Sequence, residues 1–371
     1  MNFVPDMSLK CGIVGLPNVG KSTLFNAIST GKAEAANYPF CTIDPNFGTV
    51  IVPDKRLDEL SKIVKPQNVV PTVIQIVDIA GLVKGASDNQ GLGNKFLSHI
   101  REVDAIIHVV RCFEDPNIVH VNGKVDALGD KEIIDIELQL KDLEIIDKKL
   151  EKTSRAAKTG DKVAQQTEEV LLMFKKHLET GNSARSLVVT PEQRQLIADL
   201  NLLTDKPVMY VCNVLEHEVH TGNEHTKKIQ EVAKAESAEV IFVCAALEAE
   251  IASMETEEER KEFLEALGWE EPGLHKVIRA AYKLLNLITY FTAGVKEVRA
   301  WTIPLGTKAP QAAGVIHSDF EKAFIRAEVI SFQDYIQFRG EQAVKDAGKL
   351  RIEGKDYVVN DGDIMHFRSG L

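Results

Sequence analysis

Short apolar runs separated by polar stretches of helical period mark the first two thirds of the chain. Candidate strands are Lys10–Leu16, Gly48–Val52, Thr72–Ile79, Ala105–Val110, Val208–Val214 and Val240–Cys244. Near-continuous apolar runs are what strands buried on both faces require. Helical stretches lie between most of them, so the pattern predicts an α/β domain with a mostly parallel sheet. Between the fourth and fifth runs almost a hundred residues intervene, too many for one crossover, which implies an insertion.

The insertion has its own period. Ile133, Ile136, Leu140, Leu143 and Leu150 follow steps of three and four residues, interrupted only at Asp147, and Val163, Val170, Phe174 and Leu178 form a shorter seam. Thr159-Gly160-Asp161 reads as a helix stop and restart. The prediction is an antiparallel helical coiled-coil hairpin with a basic tip of Lys148, Lys149, Lys152, Arg155, Lys158 and Lys162. Such a tip is either a solvated helical face or a contact for RNA or a partner. Glu248–Leu267 reads as one acidic surface helix, and Pro272 opens another through Leu287. From Ile288 the texture becomes α+β, with strand-like pieces at Glu297–Ile303, Ala327–Ser331, Tyr357–Val359 and Ile364–Phe367 and one short helix after Ser318. The expected domains are 9–287, interrupted by a helical insertion over 130–205, and 288–371.

Composition narrows this picture. At 371 residues the chain exceeds what a single core usually supports. No apolar run is long enough to span a membrane. Met1–Asp6 lacks the basic region and apolar core of a secretory signal. The cysteines are scattered and odd in number, which suggests reduced thiols in a cytoplasmic protein. Cys41, in an expected loop, is the one candidate for redox sensitivity. A net charge of −11 argues against coating nucleic acid and leaves room only for a local basic contact. No membrane or sequence-specific DNA partner is expected, and the chain is expected to be monomeric.

Chemistry enters at Gly15-Leu16-Pro17-Asn18-Val19-Gly20-Lys21-Ser22, a G-x-x-x-x-G-K-S phosphate-binding loop between a strand and a helix. Its glycines let backbone N–H groups point into one anion-sized hollow, and the helix N-terminus adds positive charge. Lys21 is placed for the outer phosphates and Ser22 for Mg²⁺. Tyr38–Pro45 is the candidate switch loop, with Thr42 as a second Mg²⁺ ligand. Asp78-Ile79-Ala80-Gly81 fits D-x-x-G, giving Asp78 a water in the Mg²⁺ shell and the Gly81 N–H the γ-phosphate. Leu82 follows where Ras-like enzymes carry the Gln that orients water. Another group or a cation is then needed. Asn18 is a candidate for helping to hold K⁺. Of the nearby imidazoles His99, His108 and His120, His108 falls in a predicted strand. His120 follows a loop from which it can reach a nucleotide, with a structural role as the alternative.

The base-reading position departs as well. GTPases carry Asn-Lys-x-Asp after the fifth strand; this chain has Asn213-Val214-Leu215-Glu216. A longer carboxylate misfits guanine's paired donors, Val214 can pack on a base, and Asn213 can reach adenine. The expectation is ATP over GTP. Cys244-Ala245-Ala246 stands where such proteins set a small-residue turn against the base.

With Gly15–Ser22, Asn37–Pro45, Asp78–Leu82, Asn213–Glu216 and the run Phe291–Trp301, the chain resembles the Obg-like ATPases, the YchF subfamily of the Obg group. The resemblance covers about Leu9 to Leu371 and leaves residues 1–8 as an extra leader. It implies a P-loop nucleotide domain interrupted by a coiled-coil domain and followed by a TGS domain of β-grasp fold. It also implies slow ATP hydrolysis, binding to the ribosome through ribosomal RNA and the large-subunit surface, and links to translation and stress response. Nucleotide contacts map to Asn18, Val19, Gly20, Lys21, Ser22, Thr23 and Val214, Mg²⁺ contacts to Ser22 and Thr42, and a hydrolytic histidine to His120. A metabolic kinase is the competing enzyme class, but no set of lid arginines stands out. An ATP-binding scaffold without turnover is the competing non-enzyme.

Overall fold

The structure, a computed structural model, describes residues 9–30, 47–79, 91–121 and 123–370. The first sheet runs in the order β2-β4-β1-β5-β6-β7. Its strands are β1 Lys10–Val14, β2 Phe47–Ile51, β4 Val73–Asp78, β5 Ala105–Arg111, β6 Val208–Asn213 and β7 Val240–Val243. Every pairing is parallel except that of β2 with β4. All seven residues of β5 and all six of β6 are buried, which is why both read as near-continuous apolar runs. The observed bounds lie within two residues of the sequence-based ones. This is the expected α/β P-loop fold with a mostly parallel sheet.

The insertion is an antiparallel pair of helices, Ala127–Lys158 and Lys162–Glu179. Asp161 caps the second, its carboxylate accepting from the N–H groups of Val163 and Ala164. The face differs from the sequence reading. Ile136, Leu140 and Val163 are exposed, and the buried row is Ile134, Leu138, Asp142 and Ile146 against Val170, Phe174 and Leu178. Polar residues sit in that row because each has a partner. Asp142 accepts from the backbone of Leu203 and Thr204 and from the Thr204 hydroxyl. Lys131, Arg185 and the Tyr210 hydroxyl all converge on Glu236, tying the root of the hairpin to the first sheet. Two of the six basic tip residues are neutralised, Lys148 by Glu144 and Lys149 by Asp199.

Glu248–Leu267 is not one surface helix but two, Ala245–Ser253 and Glu257–Leu267, the second restarted by a Thr256 capping box. Glu248 is buried. Its carboxylate accepts from the N–H groups of Gly273 and Leu274 and so caps the next helix, Gly273–Leu284, which Pro272 cannot cap itself. That helix stops short of Leu287, because Leu287 opens a strand of the second sheet.

The second sheet runs β11-β10-β12-β8-β9-β3. Its strands are β8 Leu287–Ala293, β9 Glu297–Pro304, β10 Phe324–Ile330, β11 Arg351–Glu353, β12 Ile364–Ser369 and β3 Asn68–Val70. The central β12–β8 pair is parallel, and the Ala309–Ile316 helix packs across the sheet through Ala309, Ala312 and Ala313, a β-grasp arrangement. Tyr357–Val359, read as a strand, forms only an isolated bridge from Val358 to Lys308. Within residues 288–370 four helices accompany the sheet rather than one, at 309–316, 318–322, 332–338 and 341–346.

Strand β3 was not legible in the sequence. It leaves the first sheet between β2 and β4 and pairs in parallel with Glu297–Arg299 of β9. The Lys55–Val64 helix goes with it, placing Leu57 and Leu60 in one core with Phe291, Val298 and Ile364. Arg56 bonds both Asp54 and Asp361 and lies over the Phe291 ring.

Candidate functional site: a nucleotide cleft at the ends of β1 and β6

The loop after β1 is shaped by two close approaches. A Cβ on Gly15 would lie 2.6 Å from the Val109 carbonyl oxygen, and Gly20, at φ +94°, has the Asn213 amide directly against it. Asn18 adopts the left-handed region, φ 62°, and donates to the Val119 carbonyl at 3.1 Å. The helix Lys21–Thr30 starts immediately, with Leu24 N–H on Gly20 O as an early bond. Its first N–H groups are left for an anion. A cavity of about 380 Å³ opens there, lined by Leu16–Asn18 and Gly20–Thr23.

Lys21 is 8% exposed, and its ammonium bonds Asp78 Oδ1 at 2.8 Å. Ser22 and Thr23 are exposed toward the cavity. The Ser22 hydroxyl and the Asp78 carboxylate therefore flank Lys21 as hard oxygen donors, which fits Mg²⁺, an ion that keeps water and takes few protein ligands. Among the described residues no cluster of three His, Cys, Asp or Glu could hold a metal alone. Thr42, Gly81, Leu82 and Cys41 lie outside the described residues.

A second cavity of about 330 Å³ adjoins the first and shares Asn18, Gly20 and Thr23 with it. Its other walls are mainly apolar and include Phe113, Ile118, Val214, Leu215 and Ala246. Val214 is buried within this wall. Glu216 is not part of the wall. It is exposed in the tight turn Glu216–Glu218, and Leu215 lines the cavity in its place. Asn213 is engaged with the protein: Nδ2 donates to Val19 O at 3.0 Å and Oδ1 accepts from Ala245 N at 3.0 Å. It braces the phosphate loop against the Cys244–Ala246 turn and keeps one N–H beyond these two bonds.

Sequence reasoning missed Arg111. It ends β5, is 1% exposed, and binds the carbonyls of Phe113 and Ile118 while stacking on Phe113. The wall formed by Phe113 and Ile118 is thus held by one buried guanidinium. A lone Arg closing a strand that is apolar but for His108 was the available signal, since a buried cation must find acceptors.

His120 lines neither cavity. Its Nε2 is 2.8 Å from Asp130 Oδ2, both side chains 4% exposed. The neighbouring Val119 carbonyl, bound by Asn18, connects this loop to the phosphate loop. Neither His99 nor His108 lines the cleft, and His108 is a buried strand residue as expected.

Comparison with known proteins decides the family. The chain is 57% identical over 361 residues to "Ribosome-binding ATPase YchF" of Escherichia coli O157:H7, covering 97% of this chain and 99% of that one. The chain belongs to the YchF family. The YchF relative of Bacillus subtilis strain 168 is 57% identical over 364 residues, covering 98% and 99% of the two chains. A family model named YchF-GTPase_C, described as a protein of unknown function, matches residues 287–370, and one described as 50S ribosome-binding GTPase matches 10–150. The solved structure of the Schizosaccharomyces pombe YchF GTPase superposes with a TM-score of 0.88 at 43% identity over 98% of each chain. YchF relatives are thus named both ATPase and GTPase, which leaves the base cavity to argue the nucleotide.

Proposed function

We propose that this chain is a slow ATP-hydrolysing switch that binds ATP and ADP in preference to GTP and associates with the ribosome. The relatives named ribosome-binding ATPases support the activity and the partner. The observation that carries the ATP preference is the exchange of Leu215 for Glu216 in the base cavity. A GTPase carboxylate takes guanine's N1–H and 2-amino donors. An apolar Leu215 leaves those donors desolvated and unpaired, a penalty of about 1–3 kcal/mol that adenine avoids.

In this reading Asn18 to Thr23 hold the phosphates, with Lys21 leaving Asp78 for the outer ones. Val214 and Leu215 pack on the base, and Asn213 offers it one N–H. Ser22, Thr42 and Asp78 would hold Mg²⁺ directly or through water, and Gly81 would meet the γ-phosphate. Bound there, Mg²⁺ would neutralise phosphate charge. A hydrolytic role for His120 requires its loop to bring the ring from Asp130 toward the cleft. We further propose K⁺ beside Asn18, the bounds 9–287, 130–205 and 288–371 for the three parts, and a monomer acting in the cytoplasm. Contact with ribosomal RNA on the large subunit, in translation and stress response, completes the reading.

The test is calorimetric titration of nucleotide-free protein with non-hydrolysable ATP and GTP analogues. ATP binding tighter by tenfold or more, about 1.4 kcal/mol, is expected. Equal or tighter GTP binding would return Glu216 to the base and overturn the preference.

A further inference from the structure

Arg111 is buried in a way that stability alone does not explain. It is 1% exposed, and among the described residues its acceptors are backbone carbonyls and no carboxylate. Its Nη1 has no partner among them. A charge taken out of water without a counter-ion is costly, and an unused buried donor adds to the cost. A loop that needed only to be closed could be closed by a neutral side chain.

The three carbonyls belong to one short segment. Phe113 O accepts from Nε at 3.2 Å, and Asp115 O and Ile118 O accept from Nη2 at 3.4 and 3.0 Å. The Asp115 carboxylate is turned to its own turn, where it accepts from Asn117 N–H at 2.8 Å. Residues 113–118 form neither helix nor strand. Among the described residues their one backbone–backbone bond is Ile118 N–H to Asp115 O. The flanking residues are fixed elsewhere, Cys112 N–H on Asn213 O and Val119 O by Asn18. Between those anchors the guanidinium is what reaches both ends of the segment, and its central carbon lies 4.6 Å from the centre of the Phe113 ring.

The residues so held are the ones that face the ligand. Phe113, Asp115 and Ile118 line the 330 Å³ cavity, whereas Glu114, Pro116 and Asn117 do not, and neither does Arg111 itself. Ile118 is 38% exposed, as is Leu215 in the same cavity, so both present apolar surface that a bound base would cover. On the reading of that cavity as the base site, we infer that Arg111 is its positioning residue. It holds Phe113, Asp115 and Ile118 as one wall formed before the nucleotide arrives, which spares the cost of ordering a loop on binding. It thereby sets affinity for the nucleoside part and leaves the phosphates to the loop after β1.

The test compares calorimetric titrations with ATP and with inorganic tripolyphosphate, which has no base. Arg111→Met should weaken ATP binding at least about tenfold and leave tripolyphosphate binding within about twofold. Arg111→Lys keeps the charge but not the planar fork, and should recover little of the loss. Equal losses for ATP and tripolyphosphate would make Arg111 a general support of the fold and overturn the role. Full recovery in Arg111→Lys would make charge, not span, the agent and overturn it as well. Ile118→Ala truncates an exposed side chain, and should cost about threefold or more for ATP and nothing for tripolyphosphate. In the Arg111→Lys background the same truncation should cost less, because the wall is already displaced. That comparison keeps the test open should Arg111→Met not fold; an equal cost in both backgrounds would overturn the positioning. Loss at Ile118 with none at Arg111 overturns this role alone, whereas no loss at Ile118 overturns the base cavity and the role with it. GTP binding as tight as ATP would touch only the adenine preference, since the ratio to tripolyphosphate can be read with either nucleotide.

Discussion

Asn213 does its work through two ordinary hydrogen bonds placed where three segments meet. It is 5% exposed and fixes Val19 to Ala245, with Gly20 packed against its amide. Asn213→Ala would leave a carbonyl and an N–H without partners, about 1–3 kcal/mol if they stay dry. ATP affinity should fall roughly 10- to 100-fold by calorimetry. An unchanged affinity would show that the phosphate loop holds its shape alone. His108 gives a pH dependence. Burial, then the charges of Lys131 and Arg185, push its imidazolium down to about 3 from the usual 6.5. Its neutral form is native, so the stability it contributes is complete above pH 6.5 and is lost as pH falls from there toward 3. Through that window the unfolded chain binds the extra proton, a loss of about 1.4 kcal/mol per pH unit. Denaturant unfolding at pH 7 and pH 5 should show this slope, and His108→Phe should flatten it. The site residues readable beforehand were those whose chemistry is local. Gly15 to Ser22 and Asp78 carry their geometry in their spacing. Leu215 and Arg111 do not, because a short turn rotates Glu216 away and a loop folds back on β5.

At the scale of elements, the hairpin tip offers the plainest test. Lys152, Arg155, Lys158 and Lys162 are exposed and have no ion pair among the described residues, unlike Lys148 and Lys149. Replacing those four with Glu should weaken co-sedimentation with ribosomes by tenfold or more, at near-equal ATP affinity. Undiminished pelleting would assign docking to another surface. The strands of the first sheet were legible because burial on both faces leaves an apolar run that no other element shares. The hairpin face was legible only in part. Ile133 and Ile134 are adjacent, and the pattern could not choose between the rows that follow them. The buried face includes Glu137 and Gln139 beside the row, and Asp142 within it, which a hydrophobic pattern cannot register. Asn68-Val69-Val70 gave no signal, since three residues become a strand only through a partner far along the chain.

At the scale of the whole molecule, turnover is the property that separates a switch from an ATP-binding scaffold. Asn18 donates to Val119, and its amide oxygen has no protein donor among the described residues, so it stays available to a cation. Hydrolysis should run faster in K⁺ than in Na⁺, and Asn18→Ala should erase the difference; equal wild-type rates would sink the cation role. The pairing of β3 with β9 bears on how the chain is made. Asn68–Val70 is synthesised about 230 residues before its partner Glu297–Arg299, a wait of roughly 10–50 s at ordinary rates of translation. Through that interval Leu57, Leu60 and the β3 edge have nothing to pack on, and a chaperone or the still-unfolded neighbours must shield them. For the same reason a fragment cut at the start of β8 lacks a strand and a helix of its own core. The C-terminal module comes late in the sequence, but its first piece is made before the first sheet is half built.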